Sequence, residues 1–365
     1  MLLPNLRELR SIWGNDMSQN NSLADGFLKN RIDAFCAIMM VPEFMIPWLP
    51  FFYEPKEIRF VLELNQPRPS DVDPEGLAAW MQKMGHAWST DFLTRCHRRG
   101  VINLDDNGMY TPSDFHARYE IWALFEGWQN LPREIKDRLN QWELQYFIET
   151  KQPHIDAFEK SGQRDRSLVW PEYVLLEEAL ALIQKVPHIY LWPCNCRAMM
   201  QGCKKPGFVC LRFANDRNLG WEMSKERARE IILAANKKGL MQSAEVGIGP
   251  DGSLQGAICN CCSDCCFPVQ FSRQLKDPRL YPLSRYVAFV DEEKCSGCGC
   301  CARRCPFQAF TISRKLTESG EGAVMPIHFN ADLCRGCGLC STVCPEGAVE
   351  MQPLPLSPLS IVSDI

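Results

Sequence analysis

The chain has 365 residues, a net charge of −4, 46% hydrophobic and 23% charged residues. That length calls for two or three domains, and the near-balanced charge excludes a general affinity for nucleic acid or anionic membrane. Twenty cysteines, a start (MLLPNLRELR) without a secretory pattern and no twin-arginine signal predict a reducing cytoplasm. In that compartment thiols read as metal ligands, not disulfides.

Residues 1–70 read as an N-terminal arm followed by an apolar segment. Ala34–Tyr53, AFCAIMMVPEFMIPWLPFFY, has the length of a membrane span but carries Glu43, Pro42, Pro47 and Pro50. Those residues predict two short buried segments joined by turns, with no transmembrane span. The alternative is a docking surface for a membrane-associated partner. Glu57–Leu64 reads as a short helix or strand.

Residues 71–112 follow the order of a winged helix. Pro74 suits a first helical position, and Leu77, Trp80, Met81 and Met84 repeat at helical spacing before Gly85. Ser89 or Thr90 caps a second helix with Phe92, Leu93 and Cys96 on one side, and Gly100 ends it. Val101–Leu104, a turn at Asp106-Asn107-Gly108 and Met109-Tyr110 then predict a hairpin. The second helix carries Arg95, His97, Arg98 and Arg99, the make-up of a DNA-reading helix. The same residues at a helix C-terminus also complement its dipole. No wider basic stripe accompanies them, so nucleic acid is not the favoured partner.

Residues 113–187 read as helical. Phe115, Tyr119, Trp122 and Phe125 line one helix, and Ile135, Leu139, Trp142 and Tyr146 line another over 133–150. A third is expected from Pro171, with Val174, Leu175, Ala179, Leu182 and Ile183 inward and Pro187 as its stop.

Residues 188–284 form a cysteine-rich middle domain. Nine cysteines occur here: Cys194, Cys196, Cys203 and Cys210, then Cys259, Cys261, Cys262, Cys265 and Cys266. Between the two groups a helix over 224–238 is expected, capped by Ser224, with Ala228, Ile231, Ile232 and Ala235 inside and Gly239 as its stop. Bunched thiols suggest one or more additional iron–sulfur centres or structural zinc. A redox-active pair, Cys261–Cys262, is a further reading. Arg197 reads first as a surface ion-pair partner and second as a donor to a cluster sulfur. His188 is a candidate ligand. Gly247-Ile248-Gly249-Pro250-Asp251-Gly252 matches a dinucleotide fingerprint, but its Pro-Asp-Gly turn predicts a hairpin tip.

Residues 285–351 contain one cysteine pattern twice: Cys295, Cys298, Cys301, Cys305-Pro306 and Cys334, Cys337, Cys340, Cys344-Pro345. Spacings of two, two and three residues put three thiolates on one four-iron cube, and the cysteine before proline reaches the other cube. Zinc sites more often pair two short knuckles than repeat such a triplet. Cys300 fits no ligand position and reads as a small buried apolar residue beside the cluster. A longer insert over Thr311–Asn330 suggests a hairpin near Glu318–Gly322, over the approach to the second cluster. The tail, 352–365, is Pro-rich.

The repeat resembles the bacterial two-cluster ferredoxins. That resemblance implies a βαββαβ module, with cluster one on Cys295, Cys298, Cys301 and Cys344 and cluster two on Cys334, Cys337, Cys340 and Cys305. With PCNCR and ICNCCSDCC before it, the chain is similar to anaerobe ferredoxin-fusion proteins, which join a winged-helix or helical N-terminal part to such a middle domain. Members carry a histidine after the Gly-Leu that ends the middle helix, where this chain has Met241-Gln242. The expected fold class is α+β. The expected function is single-electron transfer through two 4Fe-4S clusters and a further middle-domain centre, serving a redox partner protein or oxidoreductase complex. Alternatives are a redox-sensing winged-helix regulator and an iron–sulfur reductase in its own right; no catalytic residue is assigned.

Overall fold

Proline placement and apolar periodicity divide the chain into helices and short antiparallel strands. The computed structural model describes residues 21–65, 88–105, 108–162, 169–249, 252, 254–312, 327–355, 360 and 362. The chain is mixed α and β and forms two units, Met1–Leu131 and Pro132–Ile365.

In the first unit, helix α1 (Asn21–Ile38) breaks before a 3-10 turn at Glu43–Trp48 and a helical turn at Leu49–Phe52. The two halves of the apolar stretch are bent by 113°, and among the described residues no single helix is long and apolar enough to cross a membrane. Phe35, Met39, Met45 and Phe52 are buried, so the stretch is two short segments, as its prolines imply. Glu57–Leu64 lies in helix α2 (Pro55–Leu64), which begins on a reciprocal Glu54–Glu57 capping box. Helix α3 (Thr90–Arg98) starts on the Ser89 cap and leads into strands β1 (Ile102–Leu104) and β2 (Tyr110–Pro112), paired antiparallel. The helix expected over 74–85 lies outside the described residues. Helix α4 (Phe115–Phe125) closes the unit around Arg118, which is fully buried. Its guanidinium donates to the Phe52 and Arg99 carbonyls and to both Glu126 oxygens, at 2.6–2.9 Å.

The second unit departs from the expected helix pattern in two places. Helix α5 (Arg133–Ser161) runs through Pro153 where a stop near Thr150 was expected, and Gly162 ends it in the left-handed region. Pro171 opens strand β3 (Glu172–Tyr173) and not a helix; helix α6 (Leu176–Lys185) starts later. The reason is a sheet that periodicity in this stretch does not reveal: β3 pairs with β7 (Met241–Ile248), seventy residues away. The six strands run β3-β7-β8-β5-β4-β6, all antiparallel, with β4 Tyr190–Pro193, β5 Phe208–Arg212, β6 Trp221–Glu222 and β8 Leu254–Cys261. The sheet layer thus begins near residue 172, ahead of the expected boundary at 188.

Short helix α7 (Asn195–Met200) carries the first cysteines, and helix α8 (Lys225–Lys237) starts on the Ser224 hydroxyl as expected. Helices α6 and α8 bury Ala179, Leu182, Ile183, Ala228 and Ile232 against Leu211, Ala244 and Ile258 of the sheet. The Gly247–Gly252 segment lies at the β7–β8 hairpin end, where Ile248 pairs with Leu254, so it opens no helix. Helix α9 (Phe267–Ser272) follows the second cysteine group.

The C-terminal module continues the same unit. Strand β9 (Tyr286–Val290) pairs with β12 (Val349–Pro353), bringing the ends of the repeat together. Between them stand helix α10 (Cys300–Arg304) and the antiparallel pair β10 (Phe310–Ile312) and β11 (Ile327–Phe329). The second half replaces a helix with a 3-10 turn at Ser341–Val343. The insert's tip, Glu318–Gly322, lies outside the described residues. Its base stands beside the first cysteine loop, not the second: Ile327 lines the cavity there and Ile312 lies against Gly299.

Candidate metal centre

The repeated spacing gives two loops with the same backbone. Gly297, Gly299, Gly336 and Gly338 all lie in the left-handed region, and Gln308 and Gly347 match each other there after each Cys-Pro. Gly336 needs its missing side chain twice over, because an added Cβ would sit 2.2 Å from the Tyr286 carbonyl oxygen.

These turns aim the sulfurs inward. One cavity is lined by Cys295, Cys298, Cys301 and Cys344, with Cys300 on its wall. A second is lined by Cys334, Cys337, Cys340 and Cys305. Each set takes three cysteines from one repeat and the Cys-Pro cysteine from the other. One apolar core, including Ala288, Ala309, Phe310 and Val349, joins cysteines of both sets. Backbone amides donate to sulfur in matching positions: Ala309 to Cys305 at 3.4 Å and Ala348 to Cys344 at 3.2 Å. Gly336 donates to Cys334 at 3.4 Å. Burial pushes the Cys337 thiol up to about 12, the cost of enclosing a thiolate away from water. A cavity lined by four cysteines, with backbone amides donating to ligand sulfur, fits a four-iron cluster.

Residues 288–351 match the family model described as a 4Fe-4S dicluster domain. No curated protein and no solved structure matches the chain. The match makes the dicluster segment an iron–sulfur module and supports an electron-transfer role.

Cys300 is half-buried and accepts a contact from Arg303 Nη2 at 3.4 Å, so it stands at the cavity wall and is not the buried apolar residue expected. Cys298 is exposed, while Cys334, Cys337 and Cys340 are buried. The dicluster segment therefore shows its first cysteine loop to solvent and turns its second inward. The inward side is held by ionic contacts. Arg285 pairs with Glu178 at 2.9 Å, and the Tyr286 hydroxyl donates to the same carboxylate at 2.8 Å. Arg304 caps the C-terminal end of α8, donating to the Lys237 carbonyl at 3.1 Å and to that of Asn236.

The nine middle cysteines divide into two groups, one sharing a core with Tyr173 and Met241 and the other with Val209, Ala235 and Leu240. Six thiols touch in sequence: Cys194 with Cys196, Cys196 with Cys266, Cys266 with Cys261, Cys261 with Cys259, and Cys259 with Cys210. Hydrogen bonds from Cys196 and Cys261 pull the Cys266 thiol down to about 6. Bonds from Cys210 and Cys261 hold Cys259 well below the ordinary thiol range. The other three, Cys203, Cys262 and Cys265, form a separate knot.

Two buried side chains connect these groups to the rest. Arg197 is only 6% exposed and donates to the Asn260 carbonyl at 2.7 Å, while its Nε and Nη1 have no partner. The expected surface ion pair is therefore overturned. Burial works against the Arg197 charge, but the thiols of Cys194, Cys262, Cys261 and Cys203 outweigh it and hold its pKa above the usual value. Tyr173 is also buried, its hydroxyl unpartnered, in a core shared by Cys261, Cys266 and Cys337. This core links the middle thiols to the second cysteine set of the dicluster segment.

His188 is not among the thiols; it pairs with Glu222 at 2.9 Å, both exposed. In the first unit, Arg95 pairs with Glu54, and Arg99 with Glu54, Glu57 and Glu126, while His97 is buried. Carboxylates thus occupy two of the four groups that suggested a DNA-reading helix.

Sequence reading missed the polar network beneath the middle cysteines. Gln242 is fully buried, accepting from Asn236 at 2.8 Å and donating to the Leu240 carbonyl and to Asn260 Oδ1. Asn260 in turn donates to the Val209 carbonyl at 2.7 Å. The network ties β7, β8 and β5 together and fixes the carbonyl that holds Arg197. The available signal was Asn260 itself, a polar residue between Cys259 and Cys261.

Proposed function

We propose that the protein transfers single electrons as a subunit or partner of a larger oxidoreductase, in an oxygen-poor cytoplasm. In this reading Cys295, Cys298, Cys301 and Cys344 hold one 4Fe-4S cluster, and Cys334, Cys337, Cys340 and Cys305 hold the other. The observation that carries it is the lining of two cavities by four cysteines each, every set drawn from both repeats. The clusters, when bound, supply reversible one-electron storage.

The chain's own residues set the conditions. Amides of Ala309, Gly336 and Ala348 donate to ligand sulfur and stabilise negative charge there. Phe310, Ala309 and Val349 keep water from the space between the two sets. The exposed Cys298 loop is the docking side for the redox partner. The buried Cys337 loop is the internal side, and the Tyr173 core supports an additional metal centre among the middle cysteines.

Iron and acid-labile sulfide per chain, with spectra of the reduced state after anaerobic purification, test the reading. About eight iron atoms or more are expected, four for each cube. Iron at or below about four per chain, with no paramagnetic signal on reduction, sinks it.

A further inference from the structure

Cys203, Cys262 and Cys265 are arranged unlike the cysteines of the dicluster segment. Their three sulfur atoms all lie within 4.8 Å of one another, with Cys203 and Cys262 sulfurs 3.8 Å apart. A tetrahedral ion with metal–sulfur bonds of about 2.3 Å sets its sulfurs about 3.8 Å apart. Thiolates around a four-iron cube stand farther apart, at about 6 Å, because the cube lies between them. The dicluster cysteines enclose cavities, whereas these three nearly touch.

The local chain agrees. Cys262-Ser263-Asp264-Cys265 has the two-residue spacing of a metal knuckle, and the Cys265 amide donates to Cys262 sulfur at 3.3 Å. Cys203 arrives from the loop after α7, whose Gly202 leaves room: a Cβ there would stand 3.4 Å from Cys265 sulfur. Val209, Ala235 and Leu240 form the apolar floor, and Cys194 packs against the same core as the next sulfur available.

Arg197 is the independent sign of an anionic centre. It is buried, its charge is favoured by Cys262 and Cys203 of this knot as well as by Cys194 and Cys261 beside it, and its Nε and Nη1 are unpartnered. Leaving such buried donors unsatisfied is costly unless something accepts from them. Three thiolates on a divalent ion carry one net negative charge, and a guanidinium beside them offsets it.

We propose that Cys203, Cys262 and Cys265 hold one divalent thiophilic ion of the zinc class, as a single-ion site separate from any iron–sulfur centre. Binding releases the three thiol protons and changes no oxidation state. The inference does not rest on the electron-transfer reading: iron content reports on that, zinc coordination on this.

The test uses the full chain, purified anaerobically from zinc-supplemented medium. One zinc per chain is expected, with X-ray absorption at the zinc edge showing a sulfur-dominated shell at about 2.3 Å. Cys203→Ser and Cys262→Ser should each lose the zinc while iron content stays unchanged. Absence of zinc, or a shell of nitrogen and oxygen alone, overturns the proposal in the unsubstituted protein, whether or not the variants fold. Loss of iron together with a serine substitution also overturns it, by assigning the three cysteines to an iron–sulfur centre.

Discussion

At the scale of single residues, the second unit depends on a few polar side chains that do not belong to any cysteine motif. Glu178 accepts from Arg285, from the Tyr286 hydroxyl and from the Leu175 amide, so one carboxylate joins helix α6 to the first strand of the dicluster segment. Burial, then the bond to Glu178, holds the Tyr286 phenol above its ordinary 10.0. A pKa raised by folding means stabilisation that is complete below the unfolded value of 10.0 and lost as pH rises through the folded one. Tyr286→Phe should therefore lower stability by about 1 kcal/mol at neutral pH. Thermal melts of the two proteins should converge as the pH climbs above 10.0. A gap that stays constant into that range would assign the loss to packing instead.

Elements carry the next level of control. The two cysteine loops owe their shape to left-handed residues, but these are not equivalent. Gly336 has φ +67° and the Tyr286 carbonyl where a Cβ would go, whereas Gly347 has φ +62° and open space around it. Gly336→Ala should prevent the second loop from closing, removing about half the iron of the dicluster segment. Gly347→Ala should cost only the left-handed strain of about 1–2 kcal/mol and retain iron. Iron analysis of both variants checks the contrast, and equal losses would refute the assignment of the effect to close approach. The second element-scale contact is Arg304 on α10, which satisfies carbonyls at the end of α8. Arg304→Ala should destabilise the second unit by about 1.5–3 kcal/mol in anaerobic denaturation, the range for charged hydrogen bonds. An effect below about 0.5 kcal/mol, the level of an ordinary surface substitution, would show that the contact is incidental.

Over the whole molecule, the dicluster segment is built into the second unit and is not tethered to it. Cys337 shares a core with Tyr173, Cys261 and Cys266, and Gly338 lies against Leu175. The second cysteine loop is buried beside Cys259, Cys261 and Cys266 of the middle group. The two cysteine loops therefore differ in exposure, with Cys298 outward and Cys337 inward.

Local chemistry made much of this legible from residues alone. The Cys-x-x-Cys-x-x-Cys spacing with its Cys-Pro partner is a short-range code, and the Ser224 and Ser89 caps each reach only three residues. The glycine-rich stretch at 247–252 read as a hairpin tip because Pro250-Asp251-Gly252 is a turn signal. What a sequence does not encode locally is partnership across distance. Strand β3 exists only because residues 243–244 pair with 172–173, so the helix expected from Pro171 could not be corrected from its own residues. Arg197 looked like a surface cation until the sheet closed over it. The division of nine middle thiols into a touching row of six and a knot of three required strands β5 and β8 to lie side by side, with Leu211 opposite Ile258. Motif spacing determined the chemistry of the C-terminal cysteines, because their ligand loops are nearly local. Tertiary structure alone decided which middle cysteines meet, because their sulfurs come together from residues up to seventy positions apart.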